Sequence, residues 1–248
     1  MADNSFLLEE AYNQDAGVVQ QIGAFSHDVS SRGWVASFTQ EWPAPEQRHQ
    51  LSYSLAYSRG AAGSPSGLGD ILLNYRYQAV LMDVWAVAPR LSAVFPGGAK
   101  VGYRGFGLQV MLPVSVQLTQ ALAAHTNLGG AWVPDGLSGP YHGQWRSLAL
   151  GQSLVWLVIP RLNFLGEFLW TSTSRLERGS TSSTHSLLLS PGVRWGIDLP
   201  ERKQVVVGLA LPLGLGPSAG DVSILLYLSL EMPFWDPEAG PNKTSAAP

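Results

Sequence analysis

The 248-residue chain has no cysteine. That excludes a disulfide framework, a thiolate metal site and a cysteine nucleophile. Charge is scarce too: Asp, Glu, Lys and Arg make up 13% of the residues, about half the ~25% of an ordinary soluble domain. The 15 Lys and Arg against 18 Asp and Glu leave a net charge of −3 with no basic run. This excludes a nucleic-acid binder, which clusters positive charge on one face. No stretch reaches the ~18 consecutive apolar residues of a transmembrane helix. No signal peptide is visible, and Met1-Ala2 ahead of Asp3-Asn4-Ser5 reads as a mature start. Long helices are disfavoured, because 27 Gly and 17 Pro are spread along the chain.

What the chain does have is alternation. Leu51, Tyr53, Leu55 and Tyr57 are separated by Ser52, Ser54 and Ala56. Phe106, Leu108, Val110, Leu112 and Val114 recur in the same way, as do Val222, Ile224, Leu226, Leu228 and Leu230. A strand sends such residues to opposite faces. Twelve segments share the pattern, near 17–27, 32–42, 49–58, 69–79, 84–95, 105–118, 122–133, 146–157, 162–173, 185–197, 203–213 and 221–234. Most run ten to thirteen residues. Soluble strands average ~5–6, whereas a tilted strand crossing a bilayer needs ~9–11. Tight links near 80–83, 119–121, 158–161 and 198–202 alternate with longer Gly-, Ser- and Pro-rich ones at 59–68, 96–104, 134–145, 174–184 and 214–220. Outer-membrane barrels have short periplasmic turns and longer outer loops.

Glu41, Arg76, Arg90, Glu167, Arg194 and Glu231 fall well inside the segments, all in the polar phase. An Arg facing lipid at mid-membrane costs ~2–4 kcal/mol, so this phase is the wet or internally paired one. A water-soluble barrel would invert the arrangement and put those charges in its core. A soluble β-sandwich is the competing fold, and it predicts solubility without detergent. Trp34, Trp132 and Trp170 fall near the outer ends of segments. Trp42, Trp85, Trp156, Trp195 and Trp235 fall near the periplasmic ends, while Trp145 falls in a loop. Indole rings favour the membrane–water interface. The reading is an all-β fold: a closed antiparallel transmembrane β-barrel of about 12 strands over residues 17–235. It is preceded by an N-terminal periplasmic segment, 1–16, and followed by a disordered tail, 236–248.

Two stretches carry a resemblance. Asp3-Asn4-Ser5-Phe6-Leu7-Leu8-Glu9-Glu10-Ala11-Tyr12-Asn13-Gln14 resembles the mature start of the meta-pathway phenol-degradation family of outer-membrane proteins. Gly67-Leu68-Gly69-Asp70 with Ile71-Leu72-Leu73-Asn74-Tyr75-Arg76-Tyr77 resembles an element of the same family. Together they cover about a tenth of the chain. The resemblance implies a transporter or channel with no catalytic residues to carry over.

The histidines His27, His49, His125, His142 and His185 form no metal motif. His125 lies in the polar phase, two residues before Asn127, and reads as a hydrogen-bonded lumen histidine. A Ser/His/Asn hydrolase site is the alternative, although the outer-membrane phospholipase places such groups on the lipid side. Asp70, Asp135 and Asp221 read as solvated turn residues and not as a calcium site. No cofactor is implied.

Residues 3–15 hold Phe6, Leu7, Leu8 and Tyr12 with helical composition and no alternation. The segment has three places to go: free in the periplasm, across the lower barrel mouth, or into the lumen as a plug. In the lumen, Glu9 and Glu10 could meet Arg76 or Arg194. A hairpin centred near 179–181 predicts Glu167 roughly opposite Arg194.

These features predict a passive outer-membrane channel for small molecules, aromatic or hydrophobic ones by the resemblance. Its pore would be lined by Glu41, Arg76, Arg90, His125, Glu167, Arg194 and Glu231. Its partners are membrane lipid, a small solute and, through the alternating strand closing on Phe234-Trp235, the outer-membrane assembly machinery. The alternative is a barrel-scaffolded enzyme or a structural anchor.

Overall fold

The computed structural model describes residues 5–234 apart from 62, 99–100, 139–140 and 178. Trp235 and the tail 236–248 lie outside the described residues, as do Met1 to Asn4. Twelve strands follow in order. They are β1 (Val18–Asp28), β2 (Trp34–Pro43), β3 (His49–Arg59), β4 (Ser66–Leu68, Ile71–Tyr77 and Val80–Leu81) and β5 (Trp85–Val87 and Arg90–Phe95). Then come β6 (Gly107–Thr119), β7 (Leu122–Ser138), β8 (Tyr141–Ile159), β9 (Leu162–Glu177), β10 (Ser180–Leu199), β11 (Lys203–Ala210 and Leu213–Gly214) and β12 (Ser223–Pro233). Each pairs antiparallel with the next, and β1 pairs with β12 from Val18 opposite Pro233 to Asp28 opposite Ser223, closing the ring. Closure satisfies the backbone polar groups within the wall, as a membrane-spanning sheet requires. β5 is interrupted at Ala88-Pro89, where proline has no N–H for the ladder. Its register on β6 continues across the break, with Val87 opposite Val114 and Arg90 opposite Met111.

Burial is inside-out relative to a soluble domain. Gln20, Ser92, Ser115, Ser153, Glu167 and Ser190 are completely shielded, while Leu73, Val110, Leu128, Leu148 and Leu228 are each more than half exposed. Alternation makes this possible, because the strands send most of their apolar side chains outward and their polar ones into the lumen, Val206, Ala210, Leu225 and Tyr227 forming an apolar patch inside. Aromatic rings cluster at both ends of the outer wall. Phe25, Trp34 and Tyr57 stack in a row at the long-loop end, and Trp156 meets Phe164 at the tight-turn end.

Three sequence expectations are corrected. The stretches 134–145 and 174–184 are largely strand and not loop: Gly136 pairs with Gly143, and Arg175 with Ser182. These ribbons project past the apolar band, where water wets both faces and no alternation is imposed. Trp145 is accordingly in β8, its ring 5.6 Å from Tyr103 and 5.4 Å from the Arg175 guanidinium. The helical reading of residues 5–14 fails as well. They form bends and irregular backbone, and the 3₁₀ turn Gly216–Ser218 is the one helix among the described residues. Third, β9 and β10 are out of the expected register. Glu167 lies opposite Ser190, and Arg194 opposite Asn163. The turn falls before the expected 179–181, and every residue shift in a turn moves cross-strand partners by two.

Candidate functional site: the lumen and the N-terminal segment

Residues 5–14 lie inside the barrel. Ser5, Leu8, Glu10, Ala11, Asn13 and Gln14 are all buried. Because the segment has no sheet partner, its backbone groups must find side chains. The wall supplies them strand by strand. Gln50 of β3 accepts the Gln14 N–H at 2.8 Å. Gln78, in the gap within β4, accepts from Asn13 N at 2.9 Å and donates to the Ala11 carbonyl at 2.9 Å. Ser115 of β6 accepts the Ala11 N–H at 2.8 Å. Asn127 of β7 both accepts from and donates to the Glu9 backbone. Glu167 of β9 accepts Leu7 N at 2.9 Å and Leu8 N at 3.2 Å. The segment thus travels round the inner wall instead of standing along the axis.

Glycines make the room. A Cβ on Gly151 would run into Leu8, and one on Gly208 into Phe6. On Gly192 it would sit 2.6 Å from the Phe6 ring. Phe6 lies 5.4 Å, ring to ring, from Tyr227 of β12. With Leu7 and Ile22 it packs on an apolar sector formed by Val206, Ala210, Leu225 and Tyr227. Burial of a side chain of this size contributes ~1.5–3 kcal/mol.

The charged residues meet the same segment from two sides, Glu41, Arg76 and Arg90 on β2, β4 and β5, and Arg194 on β10 beside the Phe6 pocket. Arg90 holds Glu9 at 2.8 Å and Arg76 holds it at 3.6 Å. Arg76 also reaches Glu41 at 3.4 Å and donates to the carbonyls of Glu10 and Tyr12 at 3.2 Å each. Arg194 meets Glu10 at 3.1 Å, with His125 3.7 Å from the same oxygen. Buried charges persist only when paired in this way. Glu231 sits apart, at the tight-turn end, opposite Gln20 and Gln204. Tyr12 is half-buried, and that burial, with the Glu10 carboxylate nearby, raises its phenol above the ordinary value.

Of the aromatics, Trp85, Trp132, Trp156 and Trp195 are exposed on the outer wall, and Trp34, Trp42 and Trp170 are partly covered by neighbours. Sequence reasoning passed over Gln50, Gln78, Ser115 and Ser153 as site residues. Their signal was present: amides and hydroxyls recurring in the wet phase carry the donors and acceptors that a strand without a sheet needs. Asp70 was also undervalued. It accepts N–H bonds from Tyr103 at 2.5 Å and Arg104 at 3.1 Å, clasping the loop after β5 to β4.

Ser115 Oγ lies 2.7 Å from His125 Nδ1, a hydrolase-like pairing. The hydroxyl is wholly buried beneath the N-terminal segment and accepts the Ala11 N–H at 2.8 Å. Among the described residues, no three His, Asp or Glu side chains are placed to hold a metal. Beneath the segment, toward the tight-turn end, lies a cavity of about 910 Å³ bordered by Tyr12, Gln78, His125, Asn163 and Arg194.

No protein-family model matches the chain, and no curated protein sequence does. Solved structures do. An outer membrane channel from Pseudomonas putida F1 superposes with a TM-score of 0.62 at 13% identity, over 90% of this chain and 97% of that one. The NanC porin gives 0.55 at 9% identity over 86% and 98%, and the KdgM porin 0.53 at 8% over 85% and 97%. At these identities the likeness is one of architecture. The chain has the closed, twelve-stranded antiparallel barrel fold found in outer-membrane channels and porins.

Proposed function

We propose that this barrel sits in the bacterial outer membrane as a passive channel for small molecules. In this reading, residues 1–16 act as a built-in constriction and residues 17–235 form the pore wall. The observation that carries it is the polar, charge-lined lumen inside an apolar exterior, occupied by a segment that hydrogen-bonds to wall side chains. A structural anchor has no need of such a lumen. Glu41, Arg76, Arg90, His125, Glu167 and Arg194 line the constriction, with Glu231 below it. The fold shared with channels and porins supports the same reading. The tight-turn end, which holds both ends of the ring, is the periplasmic side. The interface aromatics of the described residues mark the two edges of the bilayer, and β12, running into Phe234, is the strand that the assembly machinery reads.

The solute class we assign is small and aromatic or otherwise hydrophobic. Two things support it: the resemblance to the phenol-degradation family, and the apolar sector of Val206, Ala210, Leu225 and Tyr227 facing the charged one. A solute with one apolar face and one polar edge fits a lumen divided in this way.

Single-channel recording in planar bilayers tests the reading, comparing the full chain with a variant lacking residues 3–14. The channel reading expects larger conductance and faster solute uptake into vesicles from the shortened chain. Unchanged conductance from a folded barrel overturns the constriction, and absence of any conductance from either protein overturns the channel.

A further inference from the structure

The outer wall carries a groove that the channel reading does not use. It spans the long-loop half of β6 to β9 and encloses about 760 Å³. Its floor is Gly130, whose missing side chain leaves a trough between Val110 and Leu148, directly opposite it on the neighbouring strands. A Cβ there would lie 2.8 Å from the Ser147 carbonyl and 3.4 Å from Leu148 Cδ2. Leu108, Val110 and Leu148 are each about half exposed along the trough.

The groove ends on a cation. Arg146 is exposed on the outer face, flanked in register by Trp132 of β7 and Ser174 of β9. Among the described residues it makes no ion pair. Its height is informative. Trp156, at the tight-turn edge of the same strand, is ten residues away, and ten residues at ~3.3 Å each, tilted by ~40°, rise about 25 Å, the height of the apolar band. Arg146 therefore stands at the outer edge of that band, where headgroups begin. Around it the outer wall turns hydroxylated, with Ser172 and Ser174 on β9 and Thr181 on β10 lining the upper groove.

An acyl-sized apolar trough capped by an unpaired guanidinium and hydroxyls is complementary to an anionic amphiphile. We propose that this groove binds a phosphorylated glycolipid of the outer leaflet, one acyl chain lying over Gly130 and a phosphate on Arg146. The source is the membrane lipid and not free phosphate, because most of the groove is apolar. The proposal rests on the placement in the outer membrane with the long-loop end outward, and is independent of whether the lumen conducts.

The test uses the purified full-length barrel, exchanged into mild detergent and incubated with diphosphorylated lipid A, with its dephosphorylated form, or with phosphatidylethanolamine, then examined by native mass spectrometry. One diphosphorylated lipid A per barrel should remain bound, undisturbed by excess inorganic phosphate. Arg146→Gln should lower its retention by about fivefold or more, as loss of a charge-assisted contact does. Arg161→Gln, at the other end of the wall where Arg161 pairs with Asp198 at 2.9 Å, should retain lipid like the parent. Shifted gel mobility on boiling verifies that each variant is folded. Equal retention by Arg146→Gln and the parent, equal loss in both variants, equal retention of phosphatidylethanolamine or the dephosphorylated lipid, or displacement by inorganic phosphate would each overturn the proposal.

Discussion

Asn127 and Glu9 are joined as residues of neighbouring strands are joined. The Glu9 N–H donates to Asn127 Oδ1 at 2.9 Å, and Asn127 Nδ2 donates to the Glu9 carbonyl at 2.8 Å, across 118 positions of sequence. One side chain thereby does the work of a strand edge. Replacing it with leucine leaves both backbone groups buried and unpaired, at ~1–3 kcal/mol each. Asn127→Leu should therefore release the segment often enough to appear in planar bilayers as added openings of larger conductance. Openings no more frequent than those of the parent would show that the bond holds nothing in place.

Glu167 supports two consecutive amides, those of Leu7 and Leu8, through one oxygen. Glu167→Gln keeps an acceptor for them, whereas Glu167→Leu keeps none. The unfolding midpoint, read from heat-dependent gel mobility, should fall little in the first variant. It should fall clearly in the second, by the ~1–3 kcal/mol of an orphaned buried donor. Equal shifts in the two would mean that packing, not the carboxylate oxygen, matters there.

Gly208 and Phe6 compete for one space. Gly208→Leu should destabilise the full chain by ~1–3 kcal/mol through overpacking. In a background lacking residues 3–14, most of that cost should vanish, because nothing is left to collide with. A double-mutant cycle measures the difference, and a coupling near zero would place Phe6 elsewhere in solution.

Removing residues 3–14 also changes the charge at the constriction. Glu9 and Glu10 leave, while Arg76, Arg90 and Arg194 lose those partners and keep Glu41 and Glu167 among the charged groups around them. The reversal potential in a salt gradient should move toward anion preference relative to the full chain, and the shift should shrink as salt screens the lumen. A shift toward cations would contradict the pairing described for these residues.

Asp70 should govern the loop it clasps. Asp70→Ala removes the acceptor for two backbone donors, those of Tyr103 and Arg104. Limited proteolysis from the long-loop side should then cut between β5 and β6 several-fold faster, in keeping with the ~1–3 kcal/mol of an unmade bond. The barrel below should stay intact.

The wall was legible because its signal is local. A period of two, with Arg76, Glu167 and Arg194 all in one phase, defines a strand and its wet face without reference to any other strand. The ribbons around Gly136 and Arg175 were not legible, because outside the lipid band alternation carries no energetic weight. The register of β9 on β10 was missed for a related reason: it depends on where a short, polar turn falls, and Gly179, whose positive φ marks the reversal between Glu177 and Ser180, was read as the middle of a longer loop. The course of residues 5–14 was the least visible. Leu8 and Gly151, or Phe6 and Gly208, are complementary in shape at separations that no local pattern encodes. Only the apolar content of the segment and the recurrence of wet-phase amides hinted at a buried path.

The N-terminal segment takes a partner from β3, β4, β6, β7 and β9, and packs against β10, β11 and β12. No incomplete barrel offers that set. Residues 5–14 are therefore the last to settle, because their full set of sites does not exist until β12 has closed on β1. The seated segment works as a record of completed assembly: a chain stalled before closure leaves residues 5–14 open to labelling, while a finished one hides them. Seating residues 5–14 is in this sense a late step of assembly, and a barrel caught before closure has that segment still unseated.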